Sequence, residues 1–173
     1  KYTADSIIIS TGAQARWLNL KSEQEFKGFG VSACATCDGF FFKEKEVAVV
    51  GGGNAAVEEA MFLTKFASKV KLIHRRDKLR AEKMLQKKLM ENKKIEIIWD
   101  SVVEEVIGDE DPKNVKGLKI KNVKTNDIKE LKIDGLFIAI GHDPATQLFK
   151  DQLNMDKEGY LLTKPDSTET NIP

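Results

Sequence analysis

The chain contains little cysteine, almost no net charge and no long apolar run. Two cysteines in 173 residues are too few for a disulfide-stabilised scaffold. A net charge of +1 provides no field that attracts nucleic acid or an anionic membrane surface. No apolar run approaches the roughly 20 residues of a membrane span, and the first residues lack the pattern of a signal peptide. We therefore expect neither a nucleic-acid nor a membrane partner, and a cytoplasmic location.

Length and composition are typical of one globular domain with a substantial core, since 41% of the residues are apolar and 32% are charged. Both ends of the sequence suggest a longer protein. No methionine precedes Lys1, a predicted buried strand begins almost at once, and residues 171–173 do not complete an element. We therefore expect the chain to be a piece of a larger protein.

Both cysteines lie in the motif Cys-Ala-Thr-Cys-Asp-Gly, as Cys34 and Cys37 with two residues between them, and Asp38 follows directly. The positive field at a helix N-terminus lowers the pKa of a thiol, and the two-residue gap brings two sulfurs within disulfide reach. Beside a βαβ pattern, this motif predicts an intracellular redox centre. Asp38 would then transfer protons to and from a sulfur, unless it is only a turn residue before Gly39.

Two other interpretations of the cysteines stay open. The thiols would be inert if both were buried, or they would form half of a zinc site. Zinc would need two more ligands, and the two histidines of the chain, His74 and His142, are far apart and not in zinc-finger spacing. We therefore expect no metal.

A glycine-rich turn follows an apolar run, residues 47–50, that is typical of a buried parallel strand. In such a turn Gly51 permits the sharp bend, Gly53 lets the backbone approach a pyrophosphate, and Ala56 allows close packing of helix on strand. A helical pattern and a second strand at 70–73 complete a βαβ unit, which predicts a dinucleotide site; the alternative is a tight turn without a ligand. The predicted binding residues here are Gly51, Gly52, Gly53, Asn54, Ala55 and Ala56.

A basic cluster follows the second strand, where an NAD site usually has an acidic residue. The chain has His74, Arg75 and Arg76 at this point and Arg80 one helical turn later. Two charge-assisted hydrogen bonds of about 1.5–3 kcal/mol each would favour a 2′-phosphate, and therefore NADP, roughly a hundredfold after solvent losses. The alternative is a solvated basic helix start.

These patterns together predict an α/β fold, Rossmann-like, with a parallel central sheet and an antiparallel three-stranded meander laid on it. Ile140, Gly141 and His142 follow the last buried strand and are expected near the dinucleotide, although a lone histidine is more often structural. Three adjacent aromatics at 40–42 indicate core packing, with partner contact as the alternative. The other predicted elements are a buried strand at 6–12, a short helix from residue 21, a helix at 80–92, strands at 95–99, 101–107, 115–123, 128–134 and 136–140, and a hairpin about Gly159.

Three motifs together resemble the bacterial-type, low-molecular-weight thioredoxin reductases: Cys-Ala-Thr-Cys-Asp-Gly, Gly-Gly-Gly-Asn-Ala-Ala-Val-Glu-Glu-Ala and His-Arg-Arg-Asp-x-x-Arg-Ala. The resemblance extends over nearly the whole chain. It implies a homodimeric flavoenzyme with one domain for FAD and one for NADPH, whose rotation brings NADPH and the dithiol to the flavin in turn. Residues 1–17 would end the FAD-binding domain, residues 18–140 would form the NADPH-binding domain, and residues 141–173 would return to the FAD-binding domain.

The same resemblance implies a role for each motif. Cys34 and Cys37 would form the redox disulfide, with Cys37 facing the flavin and Cys34 attacking the disulfide of thioredoxin, while Asp38 would be the acid of this exchange. The glycine turn would hold the pyrophosphate, the 2′-phosphate would be bound by Arg75, Arg76 and Arg80, and the flavin side would include Thr11 and Gly12. The chain lacks two flavin-binding motifs of the family, so we do not expect it to turn over alone.

Two further hypotheses compete with this one. The flavoprotein subunit of alkyl hydroperoxide reductase resembles the same domain, but it typically prefers NADH and has an acidic residue where the basic cluster stands here. A non-catalytic module that senses NADP is the alternative from another class, and it predicts that the thiols are dispensable.

Overall fold

The structure is a computed structural model, which describes residues 2–172. Its contacts divide the chain into two units, one formed by Arg16–Gly141 and one formed by the residues up to Ala15 and from His142 onward. In chain order the elements are β1 (Ala13–Ala15), α1 (Lys21–Glu25), β2 (Val31–Ser32), α2 (Ala35–Asp38), a 3₁₀ turn (Gly39–Phe42), β3 (Glu46–Gly51), α3 (Asn54–Leu63), β4 (Lys69–Ile73), α4 (Lys83–Glu91), β5 (Ile95–Ile98), β6 (Ser101–Glu110), β7 (Lys113–Asn122), β8 (Ile128–Lys132), β9 (Gly135–Ala139), β10 (His142–Pro144) and a 3₁₀ turn (Gln147–Phe149).

The larger unit is built on a five-stranded sheet in the order β2-β9-β3-β4-β5, with every neighbouring pair parallel. Its central strands are apolar on both faces because both faces are covered. One face packs against α3 and α4, and the other packs against the sheet β6-β7-β8. The parallel sheet and the antiparallel meander laid on it are therefore confirmed.

Two of the meander strands, β6 and β7, are longer than predicted, with ten residues each, whereas β8 is shorter than predicted, with five. Two register shifts bend this pair, between Val103 and Glu105 and between Ile107 and Gly108. A Cβ at Gly108 would lie 2.5 Å from the Phe26 ring, so this glycine leaves room for that ring against the meander.

The helix after the basic cluster begins later than predicted, at Lys83 rather than at residue 80. The reason is local hydrogen bonding, since the backbone N–H groups of Arg80 and Ala81 both donate to the carbonyl of Gly52. These residues therefore form a loop tied to the glycine turn. None of the helices in the described part of the chain has the length and apolar character needed to cross a membrane.

In the smaller unit, the predicted buried strand at 6–12 is wrong. Ile7 and Ile8 are 80% and 92% exposed, and residues 6–10 are paired with no strand among residues 2–172. The apolar residues of this segment are typical of a strand, but a strand also needs a neighbouring strand that pairs with its backbone N–H and C=O groups. The pairing begins further on, where β1 lies antiparallel to β10. The hairpin about Gly159 consists of one antiparallel bridge, Met155 to Leu161.

Candidate functional site

The glycine turn at the end of β3 is shaped by close packing at Gly51. A Cβ at this position would lie 2.3 Å from the carbonyl oxygen of Ala139 and 2.6 Å from the Cβ of Ala56. Ala56 itself is fully buried. The backbone of Gly51 also has a φ of +156°, which L side chains rarely adopt. Gly51 and Ala56 therefore let β3, β9 and α3 meet at the turn.

Gly53 has no such packing reason. A Cβ built on it would have no atom within 4 Å, and its φ of −89° and ψ of −175° suit any residue. Gly53 is the N-cap of α3 and supplies no side-chain acceptor to the first amides of the helix. Those amides have no partner within the helix and point outward. The open space beside them fits an anionic group of a ligand, such as a pyrophosphate.

His74 lies beneath the turn rather than at its surface. It is 5% exposed, and its Nδ1 and Nε2 lie 2.9 Å from the carbonyl oxygens of Gly51 and Lys78. A Cβ at Gly52 would be 2.2 Å from the imidazole ring, so glycine is required there as well. Because both ring nitrogens face backbone carbonyls, the histidine connects the glycine turn to the basic loop and presents no free nitrogen to a phosphate.

Further hydrogen bonds fasten the basic loop to the turn. The Arg80 and Ala81 amides donate to the Gly52 carbonyl at 2.7 and 3.2 Å. The Glu82 amide donates to Oδ1 of Asn54 at 2.8 Å. The side chain of Asn54, a predicted cofactor ligand, thus joins the starts of α3 and α4. Together these bonds hold the loop that carries the arginines in a fixed place beside the turn.

A pocket of about 530 Å³ opens between these segments, a size typical of small-molecule sites. The predicted residues that line it are Gly51, Gly52, Gly53, Asn54, Ala55, His74, Arg75, Arg80, Ile140 and Gly141. Arg76 is exposed but outside this lining, and Ala56 is buried behind it. The structure therefore brings most of the predicted nucleotide residues together.

Sequence reasoning missed the other residues of this lining, which are Leu18, Val50, Ile73, Ser101, Val102, Val103 and Ala139. Ile73 and Ala139 are the last residues of parallel strands and Val50 is the last but one of β3, so the strand pattern carried a signal for them. Ser101–Val103 belong to β6, and nothing in the sequence shows that the meander reaches the pocket.

Three predicted residues lie in the smaller unit and outside this pocket. Thr11 and Gly12 are exposed, and Gly12 accepts a hydrogen bond from the Ala145 amide at 2.9 Å. His142 is exposed in β10, where it pairs with Ala15. A larger cleft of about 690 Å³ lies within the same unit, and none of the predicted site residues lines it.

The two cysteines form a disulfide at the start of α2, as the motif predicts. Cys34 is the N-cap of this helix, and its Sγ accepts a hydrogen bond from the Cys37 amide at 3.2 Å. The Thr36 hydroxyl lies 3.4 Å from the same sulfur. Cys34 is half-buried and Cys37 is exposed. The donors around Cys34 suit a thiolate, which is the reactive form of the reduced centre.

Asp38 lies beside a separate depression of about 400 Å³ that also involves Phe29 and Phe41. The three phenylalanines that follow Gly39 differ in burial. Phe42 is buried and packs edge-on against Phe137, whereas Phe40 and Phe41 are 68% and 69% exposed. The core-packing interpretation is therefore correct for Phe42 only, and the exposed pair leaves an apolar surface next to the disulfide.

Glu59 on α3 is a titratable group near the disulfide that sequence reasoning missed. One of its carboxylate oxygens, Oε2, has no solvent contact and no hydrogen-bond partner among residues 2–172. Burial raises the pKa of Glu59 to about 7, against the lowering effect of the Ala35 backbone N–H. In the sequence it is indistinguishable from its exposed neighbour Glu58.

The raised pKa makes a prediction about stability. The pKa of Glu59 in the folded chain lies above its ordinary value of 4.5. The folded state therefore binds more protons than the unfolded state between these values, and stability falls as the pH rises from about 4.5 to about 7. We therefore expect the free energy of unfolding of Glu59→Gln, measured relative to wild type, to increase by about 1 kcal/mol from pH 5 to pH 8. The increase is no larger because the Glu59 side chain is only half-buried. Urea unfolding at both pH values measures this gain. Glu58→Gln is the control, and an equal gain there would refute the assignment to Glu59.

Comparison with known proteins gives the family. The whole chain, residues 1–173, matches the family described as pyridine nucleotide-disulphide oxidoreductase. It is 59% identical over 172 residues to a thioredoxin reductase from Rickettsia felis, and 58% identical over 179 residues to one from Coxiella burnetii. The matches cover 99% of this chain but only 56% and 55% of those relatives, so the chain spans about half their length.

A solved structure agrees with these relatives. The chain resembles the crystal structure of Lactococcus lactis thioredoxin reductase with a TM-score of 0.83 at 44% identity, over 94% of this chain and 52% of that one. The resemblance to bacterial-type thioredoxin reductases is thereby confirmed. With its parallel sheet, its glycine turn and its Cys34–Cys37 disulfide, the chain belongs to the pyridine nucleotide-disulphide oxidoreductase family.

Proposed function

We propose that the chain is the part of an NADPH-dependent thioredoxin reductase that binds NADPH and carries the redox disulfide. The observation that carries this proposal is that one folded unit contains both an arginine-lined nucleotide pocket and a disulfide at a helix start. Electrons pass from NADPH through FAD to Cys34–Cys37 and then to thioredoxin. The named relatives are thioredoxin reductases, which supports this reading.

The nucleotide site follows from the pocket. The first amides of α3 and the open space at Gly53 receive the pyrophosphate. Arg75 and Arg80 line the pocket and bind the 2′-phosphate, and Arg76 adds positive charge from outside the lining. His74 acts indirectly, because it fixes the loop on which these arginines stand.

The location of the disulfide supports the proposal that a flavin lies between the nicotinamide and the sulfurs. None of residues 34–38 lines the nucleotide pocket, so the nicotinamide has no direct access to the sulfurs from there. FAD, when bound, would supply the two-electron chemistry that links the nicotinamide to the disulfide. Its domain corresponds to residues 1–17 and 141–173 and to further sequence, while residues 18–140 form the NADPH-binding domain. The contact boundaries at residues 15/16 and 141/142 support this division.

The dithiol passes its electrons to thioredoxin by disulfide exchange. The reduced Cys34 attacks one sulfur of the thioredoxin disulfide, and Cys37 then displaces thioredoxin from the mixed disulfide. Asp38 supplies a proton to the departing thiolate and recovers one from the attacking thiol. The exposed Phe40 and Phe41 offer an apolar contact for thioredoxin beside the disulfide. We further propose that the full protein is a cytoplasmic homodimer.

Calorimetric titration of the chain with NADPH, and separately with NADH, tests the nucleotide assignment. We expect NADPH to bind clearly more tightly, and Arg80→Ala to lower the ratio of the two affinities about tenfold, the worth of one charge-assisted hydrogen bond. Lys88→Ala removes an exposed cation from α4 and is the matched control. Equal or tighter binding of NADH would favour the alkyl hydroperoxide reductase subunit, and an unchanged ratio in Arg80→Ala would exclude that arginine.

A further inference from the structure

Glu59 has no part in the proposed reaction, yet its carboxylate lies under the helix that carries the disulfide. α3 packs against α2, and the Ala35 backbone N–H at the start of α2 is directed at the Glu59 carboxylate. Ala35 stands between the two cysteines in the chain. The buried Oε2 atom has no partner among the described residues. A carboxylate in this position is costly to ionise and close to the sulfur chemistry.

We propose that Glu59 is a positioning residue of the redox centre, which takes up a proton when the Cys34–Cys37 disulfide is reduced and releases it when the dithiol is oxidised again. This inference deepens the proposed function and rests on it. We place this proton on the partnerless oxygen because the Cys37 amide and the Thr36 hydroxyl, which contact the Cys34 sulfur, do not ionise in this range.

The exchange balances in electrons and protons. Reduction breaks the bond between the two sulfurs and adds two electrons, which the proposed function draws from NADPH. Two protons enter with them. One forms the thiol of Cys37 and one binds Glu59, while Cys34 remains a thiolate held by the Cys37 amide and near the Thr36 hydroxyl. Reoxidation by a substrate disulfide reverses these steps, and both protons leave for the thiols of the reduced substrate.

The direction of the coupling follows from charge. In the disulfide state no sulfur is charged, and the pKa of Glu59 is about 7 because of burial. A thiolate nearby raises that pKa further, because it disfavours a second negative charge. Just above pH 7, therefore, Glu59 is mostly ionised in the disulfide state and more protonated in the dithiol state.

Other charged groups near α3 do not account for this. Two effects act on the pKa of Glu59, burial first and the Ala35 N–H second. The titratable side chains on α3 itself and on the elements packed against it are Cys34 at the N-cap of α2, Cys37 and Asp38 on α2, Glu58 on α3, Lys83, Lys87, Lys88 and Glu91 on α4, Glu46 on β3, and Lys69 and Lys71 on β4. Of these, only the cysteines are themselves oxidised and reduced, so a redox-dependent change at Glu59 comes from the sulfurs.

The test is the disulfide–dithiol equilibrium of the chain in glutathione buffers at pH 6 and pH 8, read by alkylation and mass spectrometry. It needs neither nucleotide nor flavin. For a coupling of one pKa unit, Glu59→Gln is expected to contain about fivefold more dithiol relative to disulfide than wild type at pH 8, and about the same at pH 6. Glu58→Gln makes the same charge change on the exposed neighbour and should match wild type at both values.

A merely structural role would shift the equilibrium of Glu59→Gln equally at both pH values, and that result, or no shift at pH 8, overturns the inference while leaving the proposed function standing. If Cys34 and Cys37 form no reversible disulfide–dithiol couple in the wild-type chain, both the inference and the proposed function are overturned. If Glu59→Gln does not fold, infrared difference spectra of the wild-type chain decide instead. Reduction at pH 7.5 must then produce the band of a protonated carboxyl group, and its absence overturns the inference.

Discussion

Replacing Gly53 by alanine will leave the fold intact and remove tight NADPH binding, whereas replacing Gly51 by alanine will damage the fold itself. At Gly53 a new Cβ meets no protein atom within 4 Å. It instead occupies the open space beside the first amides of α3, where we place the pyrophosphate. We expect a change in stability within about 0.5 kcal/mol, and a loss of NADPH affinity of about tenfold or more because the phosphates can no longer approach the backbone.

At Gly51 the added methyl group collides with fixed backbone. The contact with the Ala139 carbonyl would be 2.3 Å, and the contact with the Ala56 Cβ would be 2.6 Å. Neither neighbour can move without separating β3 from β9 or from α3, and the φ of +156° adds strain. We expect a destabilisation of about 3 kcal/mol, the upper range for overpacking a core.

Urea unfolding and NADPH calorimetry on both variants measure these effects, and each variant is the control of the other. A Gly53→Ala chain that binds NADPH like wild type would show that the pyrophosphate does not lie at this turn. A Gly51→Ala chain as stable as wild type would show that β3, β9 and α3 are less closely packed than the structure has them.

The βαβ unit could be predicted from the sequence because each of its parts is local. The run at 47–50, the turn at Gly51 and the apolar spacing of the following helix carry their own signals. The same reasoning failed at 6–10, because an apolar run shows that a segment can be buried but does not show which strand lies next to it. It also gave no order for the sheet, in which β9 lies beside β3 although 83 residues separate the end of β3 from the start of β9 in sequence.

The two most informative side chains of the site could not be assigned from the sequence. His74 stands in a run of basic residues and was predicted to face a phosphate with them, but its ring is buried between the carbonyls of Gly51 and Lys78. Glu59 follows another glutamate on the same helix. Which of the two faces inward depends on where α2 packs, and a four-residue helix leaves no periodicity from which to infer that contact.

The second large effect concerns the two sulfurs. In the reduced chain, Cys37→Ser should form a mixed disulfide with oxidised thioredoxin and hold it, because no second thiol remains to displace the partner. Cys34→Ser should likewise be unable to reduce thioredoxin fully, because it also lacks a second thiol. It should form its mixed disulfide more slowly than Cys37→Ser does. Both follow if Cys34 is the attacking sulfur and Cys37 the resolving one. Non-reducing electrophoresis after rapid acid quenching measures the yield and rate of each mixed disulfide.

Two observations oppose each other on which sulfur attacks, so the experiment is decisive. Exposure favours Cys37, because Cys34 is half-buried. Hydrogen bonding favours Cys34, because its sulfur accepts from the Cys37 amide and lies near the Thr36 hydroxyl, and donors to a charged group contribute about 1.5–3 kcal/mol each. Stabilising a thiolate also makes it less nucleophilic, so we expect only about a threefold faster reaction for Cys37→Ser than for Cys34→Ser. If Cys34→Ser reacts faster, exposure outweighs hydrogen bonding, and the roles of the two cysteines are reversed.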